Sequence, residues 1–358
     1  GRGCGGNSIG DWCDLVSSIK VVAEREYLVH LDANWRKSVE AIAESHNKTL
    51  LLVPAELAEQ FQVQGLAKAN LRIVEIPTGE AAKSPEYLLK MWEVCGDFGL
   101  TRSDCIIGIG GGSATDLAGF VAASWLRGIT WHAIPTSLAG MVDAAIGGKT
   151  GINSSHGKNL IGAFHSPSSV VIDKEFLHSL SDRDFNAGMA EVIKSGFIAD
   201  PKILELALDA KSNIAELISR SIAVKAQVVS ADFKEGRLRE ILNYGHTLGH
   251  AIEKIEDYKL RHGEAVAIGL VFAAELSNIA GGLNSTAVQL HRDLLRKFEL
   301  PTTYRPEALP KLLELMAGDK KSRGTALRFI GLEDIGKPIW LEAVTSNQIT
   351  EAYGRISS

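Results

Sequence analysis
The sequence is poor in cysteine, with four in 358 residues. No two of them (Cys4, Cys13, Cys95 and Cys105) form a C-x-x-C pair, which argues against a zinc knuckle or a redox dithiol. So few thiols in so long a chain also exclude a disulfide scaffold and suit a reducing, cytoplasmic setting. Charge of neither sign dominates: 38 Lys and Arg stand against 43 Asp and Glu, a formal net of −5. That balance excludes a general electrostatic grip on nucleic acid and leaves room for a local basic pocket. The longest apolar run, about Ala265 to Leu276, is short for a bilayer span and reads as a buried helix, so no membrane partner is expected. The stretch GRGCGGNSIGDWCDL lacks the basic-then-apolar layout of a signal peptide. Its glycine density predicts a flexible tail over 1–18. What is present, 45% hydrophobic and 23% charged residues, is the composition of a globular chain long enough for roughly two domains at about 150 residues each.

The first half alternates short apolar runs with segments of helical spacing. YLVHL, TLLLV, LRIVEIP, DCIIGIG, ITWHAIPT and SVVIDK read as strands. Helices are expected between them, over WRKSVEAIAESHNK, about Ser84 to Phe98, and GGSATDLAGFVAASW. Such alternation predicts a mainly parallel, Rossmann-like sheet with helices on its faces over 19–180. From about Leu180 helical periodicity takes over: Ala187 to Ile198, Pro201 to Ser230, Ile241 to Glu256, Gly263 to Ala280, Ser285 to Phe298 and Leu309 to Met316. Strand signals there reduce to LRFIGL and PIWLEA. Residues 181–358 are therefore expected to form a helical second domain.

At Gly108-Ile109-Gly110-Gly111-Gly112-Ser113 a strand runs directly into a helix. A backbone without side chains can approach a ligand closely, and a helix N-terminus favours a diphosphate. Asp116 is expected on the first turn of that helix. The bland alternative is a turn that merely tightens strand-to-helix packing. Gly148-Lys149-Thr150 is no Walker loop, because Asp143 stands where the first glycine belongs. Asp143, Lys149, Asn153, Lys158 and Asn159 fall in glycine-rich segments with little helix or strand pattern. They could grip a phosphate or carboxylate, or be an ordinary solvated loop. In RLREILNYGHTLGHAIE, Arg239, Asn243, His246, His250 and Glu253 would share one helix face. Glu191 and Lys194 share another. One Glu and two His with an open position suit a catalytic zinc, although spacing does not say which two of the histidines, His262 included, would bind.

GIGGGSATDLAGFVAASWLRG, IPTSLAGMVDAAIGGKTGIN, GKNLIGAFHSP, GMAEVIKSG, LNYGHTLGHAIE, HGEAVAIGL and DKKSRG follow one another in this order. Together, from about Lys20 onward, the chain resembles the 3-dehydroquinate synthase family. The resemblance implies a nucleotide-binding α/β domain, a helical metal-bearing domain, and an active site between them. It implies NAD and a divalent metal, zinc or cobalt, held by Glu191, His246 and His262. Substrate positions carried over are Asp143, Lys149, Lys158, Asn159, Lys194, Lys225, Arg239, Asn243, His250 and Lys320, with Arg127 lent by the partner subunit of a homodimer. NAD positions are Glu80, Lys83, Gly111, Gly112, Asp116, Thr136, Ser137, Ser179 and Asp184, with Asp143, Lys149 and Lys158 adjoining both ligands. His250 is the expected proton relay, beside Lys149, Asn159, Lys194, Lys225, Arg239 and Asn243 in the catalytic set. The implied reaction converts 3-deoxy-D-arabino-heptulosonate 7-phosphate (DAHP) to 3-dehydroquinate and phosphate.

Two departures stand out. The acid that many relatives carry after the second strand is missing here, where Pro54, Ala55 and Glu56 follow TLLLV. Ser137, Ser179 and Asp184 replace the Thr, Thr and Glu of some members. Lys225, Arg239 and Asn243 together suit a substrate carboxylate and favour this family over the valiolone and scyllo-inosose synthases. The rivals are a glycerol-dehydrogenase-type alcohol dehydrogenase and a non-catalytic binding protein of the same fold.

Overall fold
The computed structural model describes residues 18–233, 236–321 and 327–358, with 318–321 given by backbone alone. The expected tail therefore lies outside the described residues, except Ser18, which opens a strand. In chain order the first half runs β1 (Ser18–Val22), β2 (Glu26–His30), α1 (Trp35–Glu44), β3 (Thr49–Pro54), α2 (Ala55–Gln60), β4 (Leu71–Ile76), α3 (Pro85–Phe98), β5 (Cys105–Gly110), α4 (Gly112–Ser124), β6 (Thr130–Pro135), β7 (Lys149–Ser154), β8 (Gly157–Phe164) and β9 (Ser169–Val171). Seven strands make one sheet in the order β1-β2-β9-β6-β5-β3-β4. Every pairing is parallel except β1 with β2 at the edge. The central strands β3 and β5 are buried along their whole length. A strand covered on both faces must be apolar throughout, which is why TLLLV and CIIGI are so plain in sequence. β1 was not foreseen, because SIKVV is a half-exposed edge strand with one buried residue.

The chain leaves β3 for β4 on one side, then crosses back to β5 on the other. Strand order thus reverses between β3 and β5, where their carboxyl ends open a crevice suited to a nucleotide. β7 and β8 pair only with each other, antiparallel. The glycine-rich segment read as patternless is therefore a hairpin. Its partly exposed face leaves no apolar alternation to read.

The second half is helical: α5 (Asp182–Ile198), α6 (Lys202–Leu206), α7 (Ala210–Ala231), α8 (His246–Ile255), α9 (His262–Ala280), α10 (Ser285–Lys297), α11 (Leu309–Lys321) and α12 (Ser346–Gly354), with the hairpin β10 (Phe329–Asp334) and β11 (Lys337–Leu341). α9 is long and apolar enough to cross a membrane by composition, but 78% of that window is buried inside the protein. It is the core helix of this half.

Three expectations need correcting. The stretch from Pro201 to Ser230 is α6 and α7, separated by a tight turn over Ala207–Asp209. Asp116 is the fifth residue of α4, beyond the first turn. The supposed continuous stripe from Arg239 to Glu253 is broken: Leu238–Asn243 is a separate 3₁₀ turn, and α8 starts at His246. The break is Gly245, at φ 79. A Cβ there would meet the Leu270 backbone nitrogen of α9 at 2.8 Å. Close approach of α8 to α9 demands a glycine, and a left-handed glycine ends the preceding turn.

Candidate active site
Glu191 and Lys194 stand three residues apart on α5, both almost fully buried, and form an ion pair. His246 opens α8 and His262 opens α9. The Nε2 atom of each lies 3.3 Å from Glu191 Oε1. One ligand atom from each of the three falls within 4.8 Å of the others. The Nδ1 atom of His246 is 3.1 Å from the Tyr244 carbonyl oxygen, and that of His262 is 3.1 Å from Glu253 Oε2. A carbonyl oxygen and a carboxylate accept, so both Nδ1 atoms carry the proton and both Nε2 atoms turn toward Glu191. Although Lys194 and both imidazoles lie close, neither Glu191 oxygen meets a donor in hydrogen-bond geometry. A buried carboxylate without aligned donors, facing two imidazole nitrogens, fits a divalent cation. Three such N and O donors leave a coordination position for a substrate oxygen.

Burial would raise the Glu191 carboxyl, but Lys194 and the imidazoles outweigh it and hold the group well below the ordinary carboxylate range. Burial also favours a neutral His262, yet the carboxylates of Glu191 and Glu253 push it up to about 10. Binding a cation there displaces that proton. His250 stands beside the trio, its ring centroid 5.3 Å from His246 and 5.9 Å from His262. Low local hydration and these two imidazoles hold it below the ordinary imidazole value, though one edge reaches solvent. Sequence left open which histidines would pair with Glu191, and the geometry selects His246 and His262. Glu253 went unassigned; its signal was a carboxylate three residues after His250 on the same helix.

The glycine turn leaves β5 at Gly110, φ 148. A Cβ on Gly110 would meet Ala114 Cβ at 2.5 Å and Pro54 Cδ at 3.1 Å. The N-terminus of α4 has no side-chain cap. Its first amide groups thus face the β3–β5 crevice, a cradle suited to a diphosphate. Around it, Lys83 Nζ donates to Asp116 Oδ2 at 2.6 Å and to Asn159 Oδ1. Glu80 accepts from Ser113 Oγ at 3.2 Å and from Asn153 Nδ2 at 2.6 Å. Ser137 Oγ accepts the Gly140 amide, and the Thr136 amide donates to Gly110 O. Gly111 and Gly112 border Ser137 and Ala144.

Asp143, in the single π turn Gly140–Ala144, joins the two groups. It pairs with Lys225 of α7, Nζ to Oδ1 2.6 Å. Burial would raise the carboxyl, but Lys225 holds it down at about 2. Lys158 on β8 stands 3.9 Å from Glu80 and 3.8 Å from Glu253, between the glycine turn and the histidines. Arg239 is 3% exposed, donates to Phe233 O at 2.6 Å, and lies beside Gly147. Lys149 opens β7, and Asn243 ends the 3₁₀ turn facing solvent.

The Ser179 hydroxyl donates to Phe176 O within its own turn. Asp184 pairs with Arg261, next to His262. Arg127 is exposed, at φ 67, and makes no ion pair among the described residues. The side chain of Lys320 lies outside the described residues.

Comparison with known proteins shows which family the chain resembles along its length. The 3-dehydroquinate synthase N-terminal profile matches residues 73–187, and the C-terminal profile matches residues 188–322. A 3-dehydroquinate synthase of Streptomyces avermitilis is 49% identical over 345 residues, covering 94% of both chains. That of Mycobacterium leprae is 48% identical, covering 96% of this chain and 99% of its own. Among solved structures, 2-deoxy-scyllo-inosose synthase complexed with carbaglucose-6-phosphate, NAD+ and Co2+ superposes with a TM-score of 0.82 at 26% identity, over 94% of this chain and 99% of that one. With both profiles matched and near-half identity along almost the whole length, the chain belongs to the 3-dehydroquinate synthase family.

Proposed function
We infer that this chain is a 3-dehydroquinate synthase, a phosphate-eliminating cyclase that uses NAD and a divalent metal to turn DAHP into 3-dehydroquinate. The observation that carries the reading is that Lys158 stands 3.9 Å from Glu80, which accepts from Ser113 of the glycine turn, and 3.8 Å from Glu253, which holds His262 of the Glu191-His246-His262 trio. The glycine turn would hold NAD, which would supply a reversible hydride acceptor, and Glu191, His246 and His262 would hold zinc or cobalt, which would supply Lewis acidity.

The chain's own residues do the positioning. Glu253 and the Tyr244 carbonyl fix the tautomers of His262 and His246, so both lone pairs turn toward Glu191. Lys149, Lys158, Asn159 and Lys194 hold the substrate's phosphate end and balance its charge. Arg239 and Lys225, with Asn243, receive the substrate carboxylate. Asp143 keeps Lys225 charged against the cost of burial. The substrate's phosphate takes the proton during elimination, so no paired base is required of the protein. His250, neutral and at the open edge, relays a proton in the later ring-opening and aldol steps. Glu80, Lys83, Gly111, Gly112, Asp116, Thr136, Ser137, Ser179 and Asp184 hold NAD.

We also propose a division into 19–180 and 181–358, a cytoplasmic location, and a homodimer in which Arg127 reaches the partner's phosphate site. Its exposure and left-handed backbone support that last role.

The test is phosphate release from DAHP with catalytic NAD. Release without net NADH, abolished by a chelator and restored by zinc or cobalt, is expected. Net NADH from a simple polyol would instead mark an alcohol dehydrogenase. Arg239→Ala should lower kcat/KM by about 2–4 kcal/mol of transition-state binding, and near-parental kcat/KM would remove it from the carboxylate site.

A further inference from the structure
His46, Cys105 and His132 come together at the opposite end of the sheet from the glycine turn. His46 follows α1, Cys105 begins β5 and His132 lies within β6. Gly110 is five residues further along β5, roughly 16 Å away at the rise of a strand. One ligand atom from each of the three lies within 4.8 Å of the others. Cys105 is fully buried, His132 is 8% exposed, and His46 is half-buried at the rim.

The hydrogen bonds around the trio leave its inner atoms available. His46 Nδ1 is 2.9 Å from the Ile42 carbonyl oxygen, so it carries the proton and leaves the Nε2 lone pair. His132 Nδ1 is 2.8 Å from Ser169 Oγ. His132 Nε2 is buried and has no partner. Either tautomer leaves that nitrogen unsatisfied, and a cation satisfies the one in which Nε2 is a lone pair. Among the described residues, Cys105 Sγ has one hydrogen-bond partner, the Thr49 hydroxyl at 3.4 Å, a weak contact for sulfur. Each imidazole thus has its Nδ1 engaged by a hydrogen-bond partner, which leaves Nε2 as the candidate ligand atom, the division of roles usual in ligated histidines.

We propose that His46, Cys105 and His132 form a second cation site, distinct from the catalytic trio, for a borderline-soft divalent ion such as zinc. Sulfur with two imidazoles selects that class over magnesium or calcium, which take oxygen. Metal bonds of about 2.0–2.3 Å place ligands roughly 3.5 Å apart, so the trio closes by at most about 1.3 Å on binding, and the rim residue His46 is the one placed to move. Three protein ligands leave a fourth position for solvent at the His46 side. Arg25 brings positive charge toward His132. Burial pushes the Cys105 thiol up to about 12, so the ion binds by displacing that proton and holds Cys105 as thiolate. Such a bond ties the end of α1 to the inner strands, a clamp on the nucleotide-binding sheet remote from the chemistry.

Cobalt distinguishes the two sites, because only this one offers sulfur. The full chain, stripped of metal and kept reduced, is titrated with Co2+. A second bound equivalent and a near-ultraviolet thiolate-to-cobalt charge-transfer band are expected. Cys105→Ser should lose both while still releasing phosphate from DAHP at the parental rate. Should that variant fold poorly, His46→Ala at the rim should weaken the band-forming step by at least 10-fold. Absence of the band in the parent overturns the proposal. So does a band that survives Cys105→Ser, or one that instead disappears in Cys4→Ser or Cys13→Ser.

Discussion
Glu253 reaches His262 across a helix junction, and that contact decides which nitrogen of the ring carries the proton. A carboxylate behind a ligating imidazole also raises its basicity, and losing such a partner weakens metal binding by about 10–100-fold. Glu253→Ala should therefore weaken zinc binding by that factor in a competition titration, with phosphate release recovering in excess zinc. Unchanged zinc affinity would reduce Glu253 to a partner for Lys158. At this scale the sequence was most informative where a residue type is rare. Two histidines four apart and one before a glycine-headed helix already named the participants. Tautomers and partners were not legible, since they depend on contacts such as Glu253 with His262 and Asp143 with Lys225, which join separate elements.

Among the elements, the junction at Gly245 does the most for the site. It ends the turn that carries Arg239 and Asn243 and starts the helix that carries His246 and His250. A continuous helix would keep Arg239 in line with the histidines. The break instead leaves it buried beside Gly147 on the other wall. Gly245→Ala combines a left-handed backbone with a 2.8 Å contact on the Leu270 nitrogen. It should cost about 1–3 kcal/mol from the backbone alone, visible as a lowered urea midpoint, and metal binding should weaken with it. A parental midpoint would show that α8 and α9 can part freely. Gly110→Ala tests the other wall. The 2.5 Å contact with Ala114 closes the cradle, so NAD affinity should fall while zinc affinity stays. Helical periodicity placed most of these elements but passed straight through Gly245, because a single glycine in an apolar pattern does not announce a break. The β7–β8 hairpin was missed for a different reason: β8 is largely exposed, and the buried residues of β7, Thr150 to Ile152, follow one another, so neither strand alternates.

On the scale of the whole molecule, the two halves are joined by charge as well as by packing. Asp143 from the first half pairs with Lys225 from the second, and Lys158 lies between acids of both. The Asp143 carboxyl is held at about 2 against an ordinary 3.8. A depressed carboxyl contributes stability that is fully present above about pH 4 and is lost as pH falls toward 2. Asp143→Asn strands a buried lysine. The cost should be about 2 kcal/mol at pH 7, below the usual value for a broken buried pair because Asp143 is one-third exposed. Urea unfolding at pH 7 and pH 3 checks this: the deficit should shrink at the lower pH, where the parental pair is itself weakening. A deficit independent of pH would place the effect outside the ion pair.

The sequence by itself determined the two architectures and the chemical inventory. A doubly covered parallel strand has to be apolar throughout, a nucleotide turn has to be glycine, and a metal centre has to draw on a few residue types, all of which a linear reading can find. Tertiary structure alone decided which histidines meet Glu191, which acid orients them, and that His46, Cys105 and His132 converge at the far end of the sheet. Those outcomes depend on strand order and helix crossings, which bring distant residues within bonding range and leave no periodic trace along the chain.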